Sequence, residues 1–115
     1  MEEHKHYPPL TEGTLLILLS LLTPRHGYGV MQHIETLTGG RVTMGAGTLY
    51  GAINSLIEKR WIRATAEEAG TRKKVYTTTD TGRQMIQVEL MRLGELLTIG
   101  MNEIGQNMGG ENNAN

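Results

Sequence analysis

The sequence predicts a mainly α-helical fold with a small antiparallel β-wing and a long C-terminal helix. Three observations carry that prediction. Over the first sixty positions, apolar residues recur at helical spacing in three short segments separated by glycine-containing breaks. On either side of Gly70 the pattern becomes β-branched and strand-like. After Thr79 a helical period returns and persists to about residue 105.

The elements follow in order. Pro8 and Pro9 hold the chain extended. Thr11 is the N-cap of a helix from about Glu12 to Leu22, with Leu10 and Leu15 placed for a hydrophobic staple. The run "LLILLSLL" makes this helix apolar on nearly every side, so it belongs at the centre of the core. Pro24 and Gly27 break it. A second helix starts near Tyr28, buries Val30, Met31, Ile34 and Leu37, and ends at Thr38-Gly39-Gly40. The third lies in "TMGAGTLYGAINSLIEKRWI" and ends near Arg60, with Leu49, Ile53, Leu56 and Ile57 on one face. Its front half carries Gly45, Gly47 and Gly51, although a glycine inside a helix costs about 1 kcal/mol relative to alanine. Two short helices joined by a brief glycine-containing turn have helix-turn-helix spacing.

Strands over about Ile62–Ala66 and Lys73–Thr78 then flank a charged turn, the outline of a wing. Thr79 or Asp80 caps the last helix. On it Ile86, Leu90, Leu93, Leu97, Met101, Ile104 and Met108 form a near-heptad stripe, longer than a three-helix core can cover. A second copy of the chain is the expected cover. The expected organisation is a flexible N-terminus (1–9), a winged helix-turn-helix domain (10–79), a dimerisation helix (80–105) and a disordered tail (106–115).

Composition narrows the function. The chain has no cysteine, so disulfides and thiolate metal sites are excluded. Its four histidines, His4, His6, His26 and His33, show no metal-ligand spacing. No nucleophilic triad and no phosphate-binding glycine loop occurs, so neither a cofactor nor an enzymatic activity is expected. The longest apolar run, Leu15 to Leu22, is far short of the ~20 residues of a membrane span, and the N-terminus lacks a secretory pattern. A soluble, cytoplasmic protein is the expectation. The net charge of −1 conceals an asymmetry: seven basic residues against three acidic ones between Arg41 and Lys74, but one against four from Gln84 onward. The middle of the chain can attract a polyanion.

Four blocks, "LTEGTLLILLSLL", "HGYGVMQHIE", "GTLYGAINSLIEKRWI" and "RKKVYTTTDTGRQMI", occur here in an order that resembles the PadR family of bacterial and archaeal transcriptional regulators. The likeness spans roughly Leu10 to Leu97 and is similar to the family's short branch, which has a single C-terminal helix. It implies a DNA-binding winged helix, a homodimer, a repressor by the family's habit, and a response to small molecules at the dimer interface. Two departures stand out. Gly51 follows the Gly-Thr-Leu-Tyr block where the family often has a small hydrophobic residue or proline. The last helix has no aromatic residue, whereas some short members stack planar drugs on a tryptophan there.

The candidate DNA-binding residues are Tyr28, Thr43, Thr48, Tyr50, Asn54, Arg72, Lys73 and Lys74. The third helix presents Thr48, Gly51, Asn54, Ser55 and Glu58 away from the core, a low face that a major groove can admit. Asn54 suits an adenine edge, while Thr43 and Thr48 suit phosphate oxygens or a thymine methyl. The bland alternative makes Thr43 an N-cap and the glycines packing residues. Tyr28 and Tyr50 offer hydroxyls to phosphates, or else are half-buried with the hydroxyl at the surface. Arg72, Lys73 and Lys74 at the wing tip can displace counterions from DNA. Lys59, Arg60 and Arg63 read as charges complementing a helix C-terminus. The candidate dimer interface is Ile86, Leu90, Leu93, Leu97, Met101 and Ile104. Met85, Met91, Met101 and Met108 suit either an apolar effector pocket there or simple packing. The rival to a homodimeric DNA-binding regulator is a winged-helix module that docks another protein through its third helix.

Overall fold

The computed structural model describes residues 9–65 and 73–114, apart from the side chains beyond 107. The chain order is α1 (Glu12–Ser20), β1 (Arg25–His26), α2 (Gly27–Leu37), α3 (Ala46–Glu58), β2 (Ile62–Ala64), β3 (Val75–Thr78) and α4 (Asp80–Ala114). The first helix starts as its sequence dictates, with the Thr11 hydroxyl accepting from the Thr14 amide at 3.1 Å. Its apolar circumference is used fully: Leu15, Ile17, Leu18 and Leu21 are buried, and Leu16 and Leu19 pack at the margin. Helices α2, α3 and α4 all rest on it.

Helix α2 buries Val30 and Ile34, while Leu37, expected on that face, is exposed. The helix ends in a Schellman motif: the Gly40 amide donates to Glu35 O at 2.9 Å and the Gly39 amide to Thr36 O at 3.3 Å. Gly39 and Gly40 both have positive φ, 59° and 82°, which is why glycine stands at both. Helix α3 buries Leu49, Ile53 and Leu56 against α1 and α2. Its N-cap is Gly45, with no side-chain cap, so Thr43 is not the cap that the sequence allowed.

The β-sheet differs from the expected two-stranded hairpin. It has three antiparallel strands in the order β1-β3-β2, because "TPRHG", expected only to break a helix, supplies β1. Arg25 pairs with Tyr76 and His26 with Val75, while Ile62 pairs with Thr78 and Ala64 with Tyr76. The wing tip, with Arg72, lies outside the described residues.

The wing leaves the sheet through three threonines that bind helix ends. Thr77 Oγ1 and the Thr78 amide donate to Leu21 O at 3.2 and 2.8 Å, and Thr78 Oγ1 donates to Leu18 O at 2.7 Å. Thr79 Oγ1 donates to Arg60 O at 2.6 Å and accepts from the Gly82 amide at 3.1 Å, capping α4. Arg60 needs that hold. It closes α3 in a second Schellman motif with φ 64°, a conformation that disfavours a residue bearing a Cβ. Trp61, next in the chain, is buried, and the Lys59 ammonium sits 4.9 Å from its ring centroid. Gly82 fits because it has no Cβ: one built there would lie 2.2 Å from Trp61 O.

Helix α4 belongs to two environments. Met85, Ile86 and Glu89 are buried in the core. Ile86, expected at a dimer interface, is therefore occupied within its own domain, and so is Met85. Glu89, 5 % exposed, accepts from the Arg92 guanidinium at 2.7 and 2.9 Å and from the Leu10 amide at 3.2 Å. From Leu90 outward the helix projects into solvent. It continues to Ala114, so the segment from 106, expected as a disordered tail, is helical almost to the end.

Two glycines should respond oppositely to alanine. Gly82→Ala forces Trp61 or Thr78 to move and should cost about 1–3 kcal/mol. Gly51→Ala, in an open helical position with nothing within 4 Å, should add roughly 0.5–1 kcal/mol. Urea midpoints measure both, and a stabilising Gly82→Ala would contradict this packing. Glu89 gives a pH signature. The Arg92 hydrogen bonds hold its carboxyl below the usual carboxylate range, against the opposing effect of burial. Its stabilisation is thus fully present above about pH 4.3 and is lost as pH falls through the lower folded value. Glu89→Gln should show a shallower acid loss of stability than the unaltered chain, read by thermal melts from neutral to acid pH.

Candidate nucleic-acid interface

The four helices fall into two classes at their N-termini. Those of α1 and α4 are closed by Thr11 and Thr79. Those of α2 and α3 have no side-chain cap, their N-cap positions being His26 and Gly45, and neither has an acid in its first turn. An uncapped helix start presents amide donors and the positive end of the dipole to any anion.

Beside the open end of α2 lies a cleft of about 410 Å³ lined by His26, Gly27, Tyr28, Tyr50, Lys73, Lys74 and Tyr76. The antiparallel pairing of β1 with β3 builds it, since the strand leading into α2 lies alongside β3, just after the lysines in the chain. Tyr50 reaches across from α3, and a Cβ on Gly27 would lie 2.2 Å from its hydroxyl oxygen. That proximity explains a glycine between His26 and Tyr28. His26 Nδ1 lies 3.3 Å from Lys74 O, close enough to donate to it. Burial, with a smaller contribution from Tyr50, pushes the Tyr76 phenol above its usual range, so it stays a neutral donor at physiological pH. Two ammonium groups and three phenols at an open helix start make a surface suited to a phosphate oxygen.

The structure brings Tyr28, Tyr50, Lys73 and Lys74 to this one cleft, with Tyr28 64 % exposed and Tyr50 half-turned onto Gly27. Thr43, Thr48 and Asn54 stand apart from it, exposed at the start and along the outer side of α3. His26 and Tyr76 lie within the motif blocks "HGYGVMQHIE" and "RKKVYTTTDTGRQMI" but are not among the candidate DNA-binding residues. Arg41 counts less toward a basic surface than its charge indicates. It holds Glu12 in a bidentate pair that keeps the Glu12 carboxyl below the usual range. The glycines Gly45, Gly47 and Gly51 have nothing within 4 Å of a built Cβ, so packing inside the chain does not require them.

On the arm, Leu90, Leu93, Leu97, Met101 and Ile104 are exposed, Leu97 at 65 %, and Met91, Leu96 and Ile99 widen the apolar surface. Beside the stripe a cleft of about 270 Å³ is lined by Leu10, Leu15, Leu16 and Leu93 with the Glu89–Arg92 pair. Among the described residues no helix is long and apolar enough to cross a membrane, and no cluster of metal-ligating side chains occurs.

The profile of the "Transcriptional regulator PadR-like family" matches residues 15–88. The chain is 34 % identical over 86 residues, 74 % of its length, to an uncharacterised 37.1 kDa protein of a Streptomyces fradiae transposon, covering 24 % of that protein. It is 34 % identical over 74 residues to the transcriptional regulator YqjI of Escherichia coli, covering 63 % of this chain and 35 % of that one. It therefore spans only about a quarter to a third of these relatives' length. A transcriptional regulator from Clostridium thermocellum has the same fold, with TM-score 0.66 and 22 % identity over 80 % of this chain and 90 % of the other. Bacillus subtilis PadR, solved in complex with operator DNA, aligns with TM-score 0.60 and 25 % identity over 71 % of this chain and 48 % of the other. With the family profile covering residues 15–88, the chain belongs to the PadR-like family of transcriptional regulators.

Proposed function

We propose that the protein is a homodimeric repressor that binds a pseudo-palindromic duplex operator through two winged helices. The observation that carries this reading is the selective opening of helix starts. The two scaffold helices are capped by their own threonines, while the two helices of the helix-turn-helix are left uncapped beside Tyr28, Tyr50, Lys73 and Lys74. In helix-turn-helix docking the first helix of the pair crosses the DNA backbone and the second enters the major groove. Docked in that way, the chain would meet a phosphate at the cleft by α2 and base edges along Thr48 and Asn54, with Thr43 near the backbone. The wing lysines, with Arg72 next in the chain, add a salt-dependent interaction.

The exposed arm of α4 supports the dimer. An isolated helix with Leu90, Leu93, Leu97, Met101 and Ile104 in water is unfavourable by the apolar area it exposes, and a second copy removes that cost symmetrically. Two heads joined this way should meet half-sites about one helical turn, ~10 bp, apart or at multiples of it. An apolar effector would find the cleft at Leu10, Leu15, Leu16 and Leu93, beside the stripe, and binding there would alter how the arms meet. A regulator of this kind acts in the cytoplasm.

Lys73→Ala with Lys74→Ala should weaken duplex binding and lower the slope of log affinity against log salt by about 1 for each phosphate that is no longer neutralised. Fluorescence anisotropy over a salt series measures both, and an unchanged slope removes the wing base from the interface. Leu93→Glu with Leu97→Glu should convert the dimer to a folded monomer by light scattering with circular dichroism. A persisting dimer places the interface elsewhere.

A further inference from the structure

The outer face of α3 limits which bases it can recognise. We infer that α3 reads an A·T half-site core, with Asn54 as the specificity-determining residue bonding an adenine edge. The inference rests on the DNA reading above and on the side-chain chemistry of the helix itself. All thirteen residues of α3, AGTLYGAINSLIE, are described, and none is Lys, Arg or His. Guanine in the major groove offers two acceptors, N7 and O6, and is read by the paired donors of Arg or by Lys. The basic residues flanking the helix in the chain are engaged elsewhere. Arg41 before it is paired with Glu12, and Lys59 after it lies over the Trp61 ring. Arg60 follows at the turn into the wing, beyond the helix end.

Adenine presents one acceptor and one donor, N7 and N6–H₂, and a carboxamide matches both at once. Asn54 is the one carboxamide on α3, and it is exposed. A neighbour on the outer side adds to the same preference. Thr48, exposed, carries a methyl group of the kind that packs on a thymine C5-methyl, which cytosine lacks. Gly47 and Gly51 lie on the same side and let the backbone approach, so that a side chain as short as Asn54 can reach a base edge. Glu58, exposed on this face at the last turn, repels phosphates and restricts the docked surface to the first turns of the helix. An asparagine this close to the floor of the groove makes adenine the favoured base at one position, and methyl packing favours A·T pairs beside it.

The test is enrichment of duplexes from a random-sequence library by the full chain, repeated with Asn54→Ala and Asn54→Arg. The expected result is a half-site core of A·T pairs with one fixed adenine. Replacing that adenine should weaken binding roughly ten- to hundred-fold. Asn54→Ala should abolish the preference at that position alone, and Asn54→Arg should move it to guanine. A core with fixed G·C pairs, or an unaltered preference in Asn54→Ala, overturns the inference while leaving duplex binding intact. If no duplex is enriched at all, the DNA reading falls and this inference with it.

Discussion

Three consecutive threonines, Thr77 to Thr79, hold together parts of the chain that sequence distance keeps apart. Their hydroxyls and the Thr78 amide satisfy carbonyls at Leu18, Leu21 and Arg60, the ends of the first and third helices. The last carbonyls of a helix have no partner within it, and burying them unpaired is costly. Here the exit of the wing supplies the missing donors, each worth about 1 kcal/mol net and considerably more if removed from a buried acceptor. The same segment therefore fixes the sheet on α1, fixes the end of α3, and starts α4 by capping it at Thr79. Arg60 can sit at positive φ because its carbonyl is held on the far side. The spacing between the third helix and the wing follows from this junction.

Relative to that junction, the glycines divide by what a Cβ would meet. Gly82 and Gly27 are required by the protein's own atoms, Trp61 O and the Tyr50 hydroxyl respectively. Gly47 and Gly51 meet nothing, so the protein loses helix propensity there without an internal gain. A local weakness with no internal compensation is where an external partner is to be sought. The capping pattern repeats the division. The starts of α1 and α4 are closed by threonines, and those of the helix-turn-helix pair are open. On the proposed reading, stability and recognition fall to different residues on the same short elements.

Much of this fold is legible in the sequence, and the gaps have physical causes. Helices of nine to thirteen residues with clear apolar faces and a Thr11 cap announce themselves through period and capping chemistry. The strand at Arg25–His26 does not, because two residues cannot display a period and Pro24 beside them reads as a breaker. The stripe on α4 merges two environments. Ile86 continues the heptad that Leu90 and Leu97 follow, yet α1 and the wing reach far enough along the helix to bury it. Periodicity reports that a face is apolar and is silent on whether the cover is the same chain. The cleft is legible only in pieces. Tyr28, Tyr50 and the lysines are visible as separate signals, whereas their convergence depends on β1 pairing with β3, a pairing that leaves no pattern in the sequence.

The continuity of α4 has a consequence for the proposed two-headed arrangement. Its first turns carry Met85, Ile86 and Glu89 in the core, and Glu89 binds the Leu10 amide while pairing with Arg92. No linker separates this buried section from the exposed arm that begins at Leu90, since the helix runs unbroken from Asp80 to Ala114. A head cannot then swing freely about its arm, because rotation there would break helix hydrogen bonds or pull Glu89 from its partners. In a dimer joined along the arms, the separation of the two third helices is set by where the stripes cross, and a small change in crossing is carried rigidly to both heads. In the proposed dimer, a ligand lodged beside Leu93 would act at the point where that crossing begins. It would thus change the spacing offered to DNA without touching the reading residues. In the proposed dimer, the rigidity of this helix would let the arm govern the heads.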